Sequence, residues 1–415
     1  SSNELSISGR GDKITYYISG SYTNVKSPVK GDNFSRISGR VNLDIAVTNW
    51  LNIGTNTGYS AKDNSGVRAD LGDASQISPF ASLYYDDGVP RPLPMTLGAV
   101  PNPLTQTLPN DNSDLSKTLF TNTYADVALP LKGLSYRLNV GYTQRNVKQF
   151  NYTPSFKREQ FFNLGSGSKY YSESDNLTVE NIVKYDRVIA TDHSINLTLL
   201  YGIYKDKNES STLGSKNIFN DVLGYNALEI GDNFSVNTDA SKSQQVSTMA
   251  RLGYRFKGKY IADFTVRRDG YSAFGRGKKY GVFPAVGLSW NMSEEKFMEN
   301  VRAVNNLKLR ASWGKNGNRG VSAYSSLSSL GQVNYVFGDG GSTAVGLYTT
   351  SLGNPNLGWE STTSTNFGVD FSTLSNRVSG SVDYYQTQTK DLLLRQSIPN
   401  MSGFTSFLRN IGETE

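Results

Sequence analysis

Two tyrosines followed by two aspartates, Tyr84-Tyr85-Asp86-Asp87, carry the clearest ligand-binding chemistry in this chain, within the stretch Ser82-Leu83-Tyr84-Tyr85-Asp86-Asp87-Gly88-Val89-Pro90-Arg91-Pro92. Adjacent aromatic rings stack on sugar faces and neighbouring carboxylates accept hydrogen bonds from hydroxyls, so the segment suits contact with a glycan. The same residues also suit a structural loop that folds inward. Asp86 and Asp87 alone offer too few oxygens for a calcium ion, which takes about six to eight. Tyr335, Phe337 and Tyr348, in a Gly-rich stretch, form a second candidate surface.

No catalytic constellation is visible. His193, the single histidine, sits beside Asp192 in a short turn, with no second histidine and no serine elbow to complete a triad or a metal site, and it reads as a solvated turn residue. The absence of cysteine removes disulfides, thiolate nucleophiles and Cys-ligated metals. No cofactor and no metal are expected, and the chain does not read as an enzyme. Arg10-Gly11-Asp12 matches an adhesion tripeptide but falls in an expected turn. Ala273-Phe274-Gly275-Arg276-Gly277-Lys278-Lys279 lacks phosphate-loop spacing and reads as a loop tip. The Asn-x-Ser/Thr triplets at Asn151, Asn176, Asn196 and Asn233 fall in strands and loops alike. They reflect composition.

The elements that would position these residues follow from alternation. Leu134, Tyr136, Leu138, Val140 and Tyr142 are separated by Ser135, Arg137, Asn139 and Gly141, a strand with one apolar and one wet face. The pattern recurs in segments of roughly ten residues, the length with which a tilted strand crosses a bilayer. About fourteen strands are expected, among them 14–23, 35–47, 51–60, 119–129, 134–146, 177–185, 195–204, 247–256, 260–268, 280–291, 307–314, 363–371 and 378–386. Thr48-Asn49-Trp50, Pro130-Leu131-Lys132-Gly133, Ala190-Thr191-Asp192, Lys257-Gly258-Lys259 and Thr373-Leu374-Ser375-Asn376 supply short turns. Long connections at 61–118, 147–175, 205–242 and 315–360 alternate with them, and Ser293-Glu294-Glu295-Lys296 resembles the start of a capped helical turn. Structureless loops of this length count against a compact soluble domain unless they are functional. Short turns on one rim and long loops on the other are the order of an all-β, transmembrane, antiparallel up-and-down barrel.

Composition agrees. The 415 residues are 37% apolar, with 40 Gly, 25 Tyr and 19 Phe, and the mean hydropathy is -0.44. No run of about eighteen apolar residues is present, which excludes spanning helices and leaves a barrel open, because half of each strand faces the lumen. Arg137, Arg145, Asp263, Arg267, Lys308, Arg310 and Asp383 share the polar parity and are assigned to that lumen. Trp50, Tyr59, Tyr142, Tyr260, Trp290, Trp313 and Tyr384 suit the interfacial aromatic belt. The net charge of +6 is spread along the chain and mostly alternates with apolar residues, so nucleic-acid binding is not expected.

Several blocks resemble the barrel of SusC/RagA-type TonB-dependent outer-membrane transporters: Asp12-Lys13-Ile14-Thr15-Tyr16-Tyr17-Ile18-Ser19-Gly20-Ser21-Tyr22, Arg267-Arg268-Asp269-Gly270-Tyr271-Ser272-Ala273-Phe274-Gly275, Phe283-Pro284-Ala285-Val286-Gly287-Leu288-Ser289-Trp290, Leu309-Arg310-Ala311-Ser312-Trp313-Gly314-Lys315-Asn316-Gly317-Asn318 and Leu352-Gly353-Asn354-Pro355-Asn356-Leu357-Gly358-Trp359-Glu360. Val382-Asp383-Tyr384-Tyr385 and Thr389-Lys390-Asp391-Leu392-Leu393 continue the match. The resemblance implies a barrel of about 22 strands closed around a plug, a TonB box engaging the TonB-ExbB-ExbD energising complex, and a SusD-like surface lipoprotein as partner. It implies import of an oligosaccharide or peptide across a Gram-negative outer membrane. Residues 1–415 then read as part of that barrel, with signal peptide, TonB box, plug and C-terminal strands outside this sequence. A passive porin or adhesin barrel, and a soluble polysaccharide-binding β protein, are the alternative readings.

Overall fold

Short turns set the register of the sheet. At Lys257 and Gly258 the backbone takes positive φ at both central positions, and the Lys259 amide donates to the Phe256 carbonyl at 2.9 Å. This turn's twist matches that of the strands it joins. The structure is a computed structural model that describes residues 1–415 except 96–99, 105–110, 159–160, 302, 339 and 341, and gives the backbone alone for 156–158, 161 and 162.

The strands are β1 (Ser2–Arg10), β2 (Ile14–Lys26), β3 (Asn33–Ala46), β4 (Leu51–Asp63), β5 (Asp111–Ala128), β6 (Leu134–Thr153), β7 (Phe156–Arg158), β8 (Phe161–Asn163), β9 (Gly165–Ile189), β10 (His193–Ile218), β11 (Asn233–Phe256), β12 (Tyr260–Tyr271), β13 (Tyr280–Asn291), β14 (Val304–Asn318), β15 (Ser329–Val336), β16 (Thr343–Ser351), β17 (Glu360–Thr373), β18 (Val378–Lys390), β19 (Leu393–Ser397), β20 (Ser406–Asn410) and β21 (Glu413–Thr414). Fifteen of them form one sheet in the order β1-β2-β3-β4-β5-β6-β9-β10-β11-β12-β13-β14-β17-β18-β21. Every neighbouring pair is antiparallel, so the sheet is an uninterrupted meander. The pairs β7–β8, β15–β16 and β19–β20 are separate hairpins inside long connections. This is a partial barrel.

Pairing lines up the apolar parity across strands. Tyr136 stands opposite Val183, Val183 opposite Leu199, Leu199 opposite Ala250 and Ala250 opposite Val266. Large side chains on this face are open to the surroundings, from Leu5 on β1 to Val382 on β18. A charge in such a band costs about 2–4 kcal/mol at mid-bilayer, so the apolar parity faces lipid and the other faces the lumen. The buried hydrophobic residues described, Tyr152, Ile218, Ala227, Tyr271, Ala273, Phe274, Phe283 and Leu357, all lie toward the long-loop rim. The wall itself has one layer, and its backbone pairing rather than a core holds it together.

Several boundaries differ from the sequence expectation. β1 precedes the first expected strand; Leu5 and Ile7 are its only large apolar residues. The stretches 147–175 and 205–242, expected as loops, are largely strand, because β6, β9, β10 and β11 run 20, 25, 26 and 24 residues. Outside the bilayer the outer face no longer has to be apolar: on β10 it passes from Tyr201 and Ile203 to Lys205, Lys207 and Glu209 while pairing continues on both sides. The loss of alternation marks the membrane surface, not the end of the strand. Within 61–118 the structure has a six-residue helix α1 (Leu71–Gln76), whose cap Asp70 accepts from the Gly72 and Asp73 amides at 2.8 and 3.0 Å. The expected capped helical turn at Ser293 is instead two 3-10 turns, Met292–Glu294 and Lys296–Met298, without a side-chain cap. Parts of the expected long connections, at 96–99, 105–110, 159–160, 302, 339 and 341, lie outside the described residues.

Candidate functional site

The lumen-facing parity carries a chain of charged and polar groups. On β6 the Arg137 guanidinium lies 3.9 Å from the centroid of the Tyr124 ring, meets Asp126 at 3.2 Å and donates to Asn139 at 2.8 Å. Asn139 donates to Glu180 on β9 at 3.3 Å, and the Tyr204 hydroxyl on β10 donates to the other Glu180 oxygen at 2.8 Å. Tyr204 also interacts with Arg267 on β12, whose Nε reaches both Asp269 oxygens at 2.9 Å and whose Nη2 donates to Ser247 at 3.0 Å. The Tyr124 hydroxyl donates to Asp44 on β3.

That last contact skips a strand. Tyr124 is on β5 and Asp44 on β3, and between them lies Gly54 of β4, where an added Cβ would stand 2.4 Å from the Tyr124 ring and 2.5 Å from the Asp44 carboxylate. Gly54 is a window through which the two residues meet. A second window is Gly368 on β17. Across it Arg310 of β14 reaches Asp383 of β18 at 3.1 Å while binding Asp370 through two parallel bonds of 2.8 and 2.9 Å. Such forked pairs are stronger and more directional than single contacts. Arg251 and Asp263, 2.9 Å apart, complete the lumen pairs described.

The basic residues assigned to the lumen therefore lie where expected, and pairing supplies partners that alternation alone left unassigned: Asp44, Asp126, Glu180, Asp269 and Asp370. The arrangement offers many donors and acceptors to a polar surface. It aligns no nucleophile with a base, and among the described residues no group of three or more His, Asp or Glu side chains gathers to hold a metal ion.

Tyr84, Tyr85, Asp86 and Asp87 lie in the β4–β5 connection as a tight reversal. Gly88, at φ +82°, donates to the Tyr85 carbonyl at 2.9 Å, and the Tyr85 amide donates to the Val89 carbonyl at 2.8 Å. Asp86-Asp87-Gly88 is thus turn chemistry. The Arg91 guanidinium lies 4.8 Å from the centroid of the Tyr85 ring and donates to the Tyr84 carbonyl at 3.1 Å, leaving the Tyr84 ring the more exposed of the two. Tyr335, Phe337 and Tyr348 belong to the β15–β16 hairpin and its turn, in a different long connection. Tyr335 and Phe337 pack edge to face, with centroids 4.7 Å apart, and all three are exposed.

Two sequence readings change. Ala273 and Phe274 are not a loop tip: Phe274 is 1% exposed and packs with Leu357 and Trp359. The Gly275 amide donates to the Leu357 carbonyl at 2.8 Å, and a Cβ on Gly275 would stand 1.8 Å from the Pro355 carbonyl oxygen. His193 is not a solvated turn residue. It opens β10, its Nδ1 lies 2.7 Å from the Tyr254 hydroxyl, and its ring begins a row that continues through Phe256, Tyr260 and Trp290 to Phe297 at centroid spacings of 4.8, 6.3, 6.4 and 6.4 Å. At that rim Glu295 accepts from Tyr260, Trp290 and Lys259 at 2.7, 3.1 and 3.3 Å, and these bonds, Tyr260's foremost, hold its carboxyl below the ordinary value.

A one-layer antiparallel meander with a lipid-facing apolar side, an aromatic rim and a polar lumen defines a transmembrane β-barrel protein of the outer membrane. The chain belongs to the TonB-dependent receptor family: the family described as TonB dependent receptor-like, beta-barrel, matches residues 55–415. It is 29% identical over its full length to TonB-dependent receptor P3 of Formosa agariphila, covering 42% of that protein. It is also 29% identical to TonB-dependent receptor SusC of Bacteroides thetaiotaomicron, covering 43% of it. Among solved structures, the RagAB peptide transporter superposes with a TM-score of 0.83 at 23% identity, over 99% of this chain and 47% of the other. The chain spans less than half the length of the curated relatives it matches. The family is one of receptors and transporters, not of enzymes.

Proposed function

We propose that these strands form part of the wall of an energised importer that brings an oligosaccharide or a peptide across the outer membrane. The observation that carries the reading is the lumen face, where charged groups in an ordered hydrogen-bonded chain line one side of a passage. The named relatives support it, since SusC is a TonB-dependent receptor and RagAB is called a peptide transporter. On this reading the remaining strands of a larger barrel pair with β1 and with the open edge of β18. The TonB-ExbB-ExbD complex drives transport through a plug and TonB box elsewhere in the polypeptide, and a SusD-like lipoprotein joins it at the long-loop rim. Tyr84 with Tyr85, Asp86 and Asp87, and the exposed Tyr335, Phe337 and Tyr348, are the candidate contacts for substrate or partner.

Uptake of labelled glycans and peptides by cells carrying or lacking the full gene tests this. Import that disappears on deletion and also on collapse of the proton gradient is the expected result. Deletion-dependent uptake that survives collapse of the gradient would favour a passive porin and overturn the energised reading.

A further inference from the structure

The outer face is not uniform. From β11 to β18 two cross-strand rows run beside the short-turn rim. The first is Phe256, Tyr260, Trp290, Leu309, Val369 and Val382; the second is Tyr254, Ala262, Leu288, Ala311, Phe367 and Tyr384. In the second row the alanines at 262 and 311 stand among much larger neighbours and lower the surface locally. The result is a groove of about 840 Å³ lined mainly by residues of these two rows, with Ile261, Ser289, Arg310 and Gly368 between them, within the roughly 300–1,000 Å³ of small-molecule sites.

Its walls are fixed. The rings of Tyr260 and Trp290 lie 10° from parallel with centroids 6.4 Å apart. Glu295 ties both to the turn below through the Tyr260 hydroxyl and the indole N–H. A rigid apolar trough that opens at an aromatic rim and faces hydrocarbon matches an acyl chain whose headgroup stays at the interface. Lys257, half exposed in the turn between β11 and β12, is a cation at that rim, its ammonium 3.8 Å from Asp192 and 5.3 Å from the centroid of the Phe256 ring.

We propose that this groove is a binding site for one phospholipid of the leaflet at the short-turn rim, its chain lying over Ala262 and Ala311 and its phosphate toward Lys257. The site holds one lipid longer than the exchanging lipid around the rest of the wall.

The test uses the full-length receptor extracted from outer membranes in mild detergent, with phospholipid retained per polypeptide measured by native mass spectrometry. Filling the floor with A262F and A311F together is expected to cut retention about tenfold, a loss of roughly 1.4 kcal/mol. A250F, also on the lipid face but outside the groove, is expected to leave retention unchanged. On the unaltered receptor, a phospholipid with a photoreactive chain is expected to label β12 to β14 preferentially, which keeps the proposal testable if the filled variant does not fold. Equal retention by filled and unaltered receptor, labelling spread evenly over the outer face, or retention of lipopolysaccharide or a second polypeptide in place of phospholipid would overturn it.

Discussion

Gly54 shows how much a missing side chain can organise. The Tyr124–Asp44 bond crosses a whole strand because nothing projects from β4 at that point. A valine there would drive its Cβ into both groups, and overpacking of this kind costs about 1–3 kcal/mol. G54V in the full-length receptor is therefore expected to lower the temperature at which the folded band converts on a heat-modifiability gel. Pairing it with Y124A should return part of the loss, because the clash and its partner disappear together. Glu295 behaves differently. Its carboxyl is held below the ordinary glutamate value only in the folded protein, so its contribution is complete at neutral pH and is lost as pH falls through the lowered folded-state value. E295Q is accordingly expected to melt earlier than the unaltered protein at pH 7, with the gap between the two narrowing as pH falls through the acidic range; a constant gap across that range would remove the carboxylate from the account. The basic lumen residues were legible from parity alone. So were Asp263 and Asp383, but which acid pairs with which base was not, since parity says which face a residue takes and not which residue stands opposite. Once the β5–β6 turn is fixed, pairing Ala128 with Ser135 places Asp126 against Arg137.

Strands and turns were legible wherever one face had to meet lipid. The expected limits of 134–146, 195–204 and 260–268 fall inside the observed strands and err by stopping where the outer face turns polar. Alternation is a record of the solvent, and water on both faces erases it while the backbone ladder persists. The tall parts of β9, β10 and β11 should therefore be ordered. Hydrogen exchange on the full receptor is expected to show strong protection at 205–215, where β10 is paired on both sides, and weaker protection at 233–241, where β11 pairs only with β10. Uniformly fast exchange at 205–215 would mean that the paired extension does not persist in solution. The β15–β16 hairpin was not legible, because its apolar residues fall on both faces: Leu330, Val345 and Leu347 on one, Val333, Tyr335 and Tyr348 on the other. No single parity marks a buried side. The candidate contacts Tyr84 to Asp87 were legible as chemistry, but their geometry depends on Gly88 and Arg91, whose roles appear only once the chain reverses.

At the scale of the whole sheet, strand order came through the sequence because shorter and longer connections alternate along most of it, as they do in a meander. What remained hidden was the meeting of segments far apart in the chain. Phe274 and Leu357 sit more than eighty positions apart, yet together they seal the end of the wall between β12 and β17, with the β19–β20 hairpin added through Leu393 and Leu408. Such contacts have no period to betray them.

The unequal strand lengths make the mouth of this structure asymmetric. β9, β10 and β11 rise about twice as far as β2, β3, β12 and β13, and the part of β10 beyond Ile203 reaches on the order of 50 Å along the strand at about 3.3 Å per residue. The opening is thus cut at a slant, like a quill. On the import reading proposed above, a solute arriving over the low edge meets the tall quadrant as a backstop, and the direction of approach is set by the skeleton of the sheet before any loop moves.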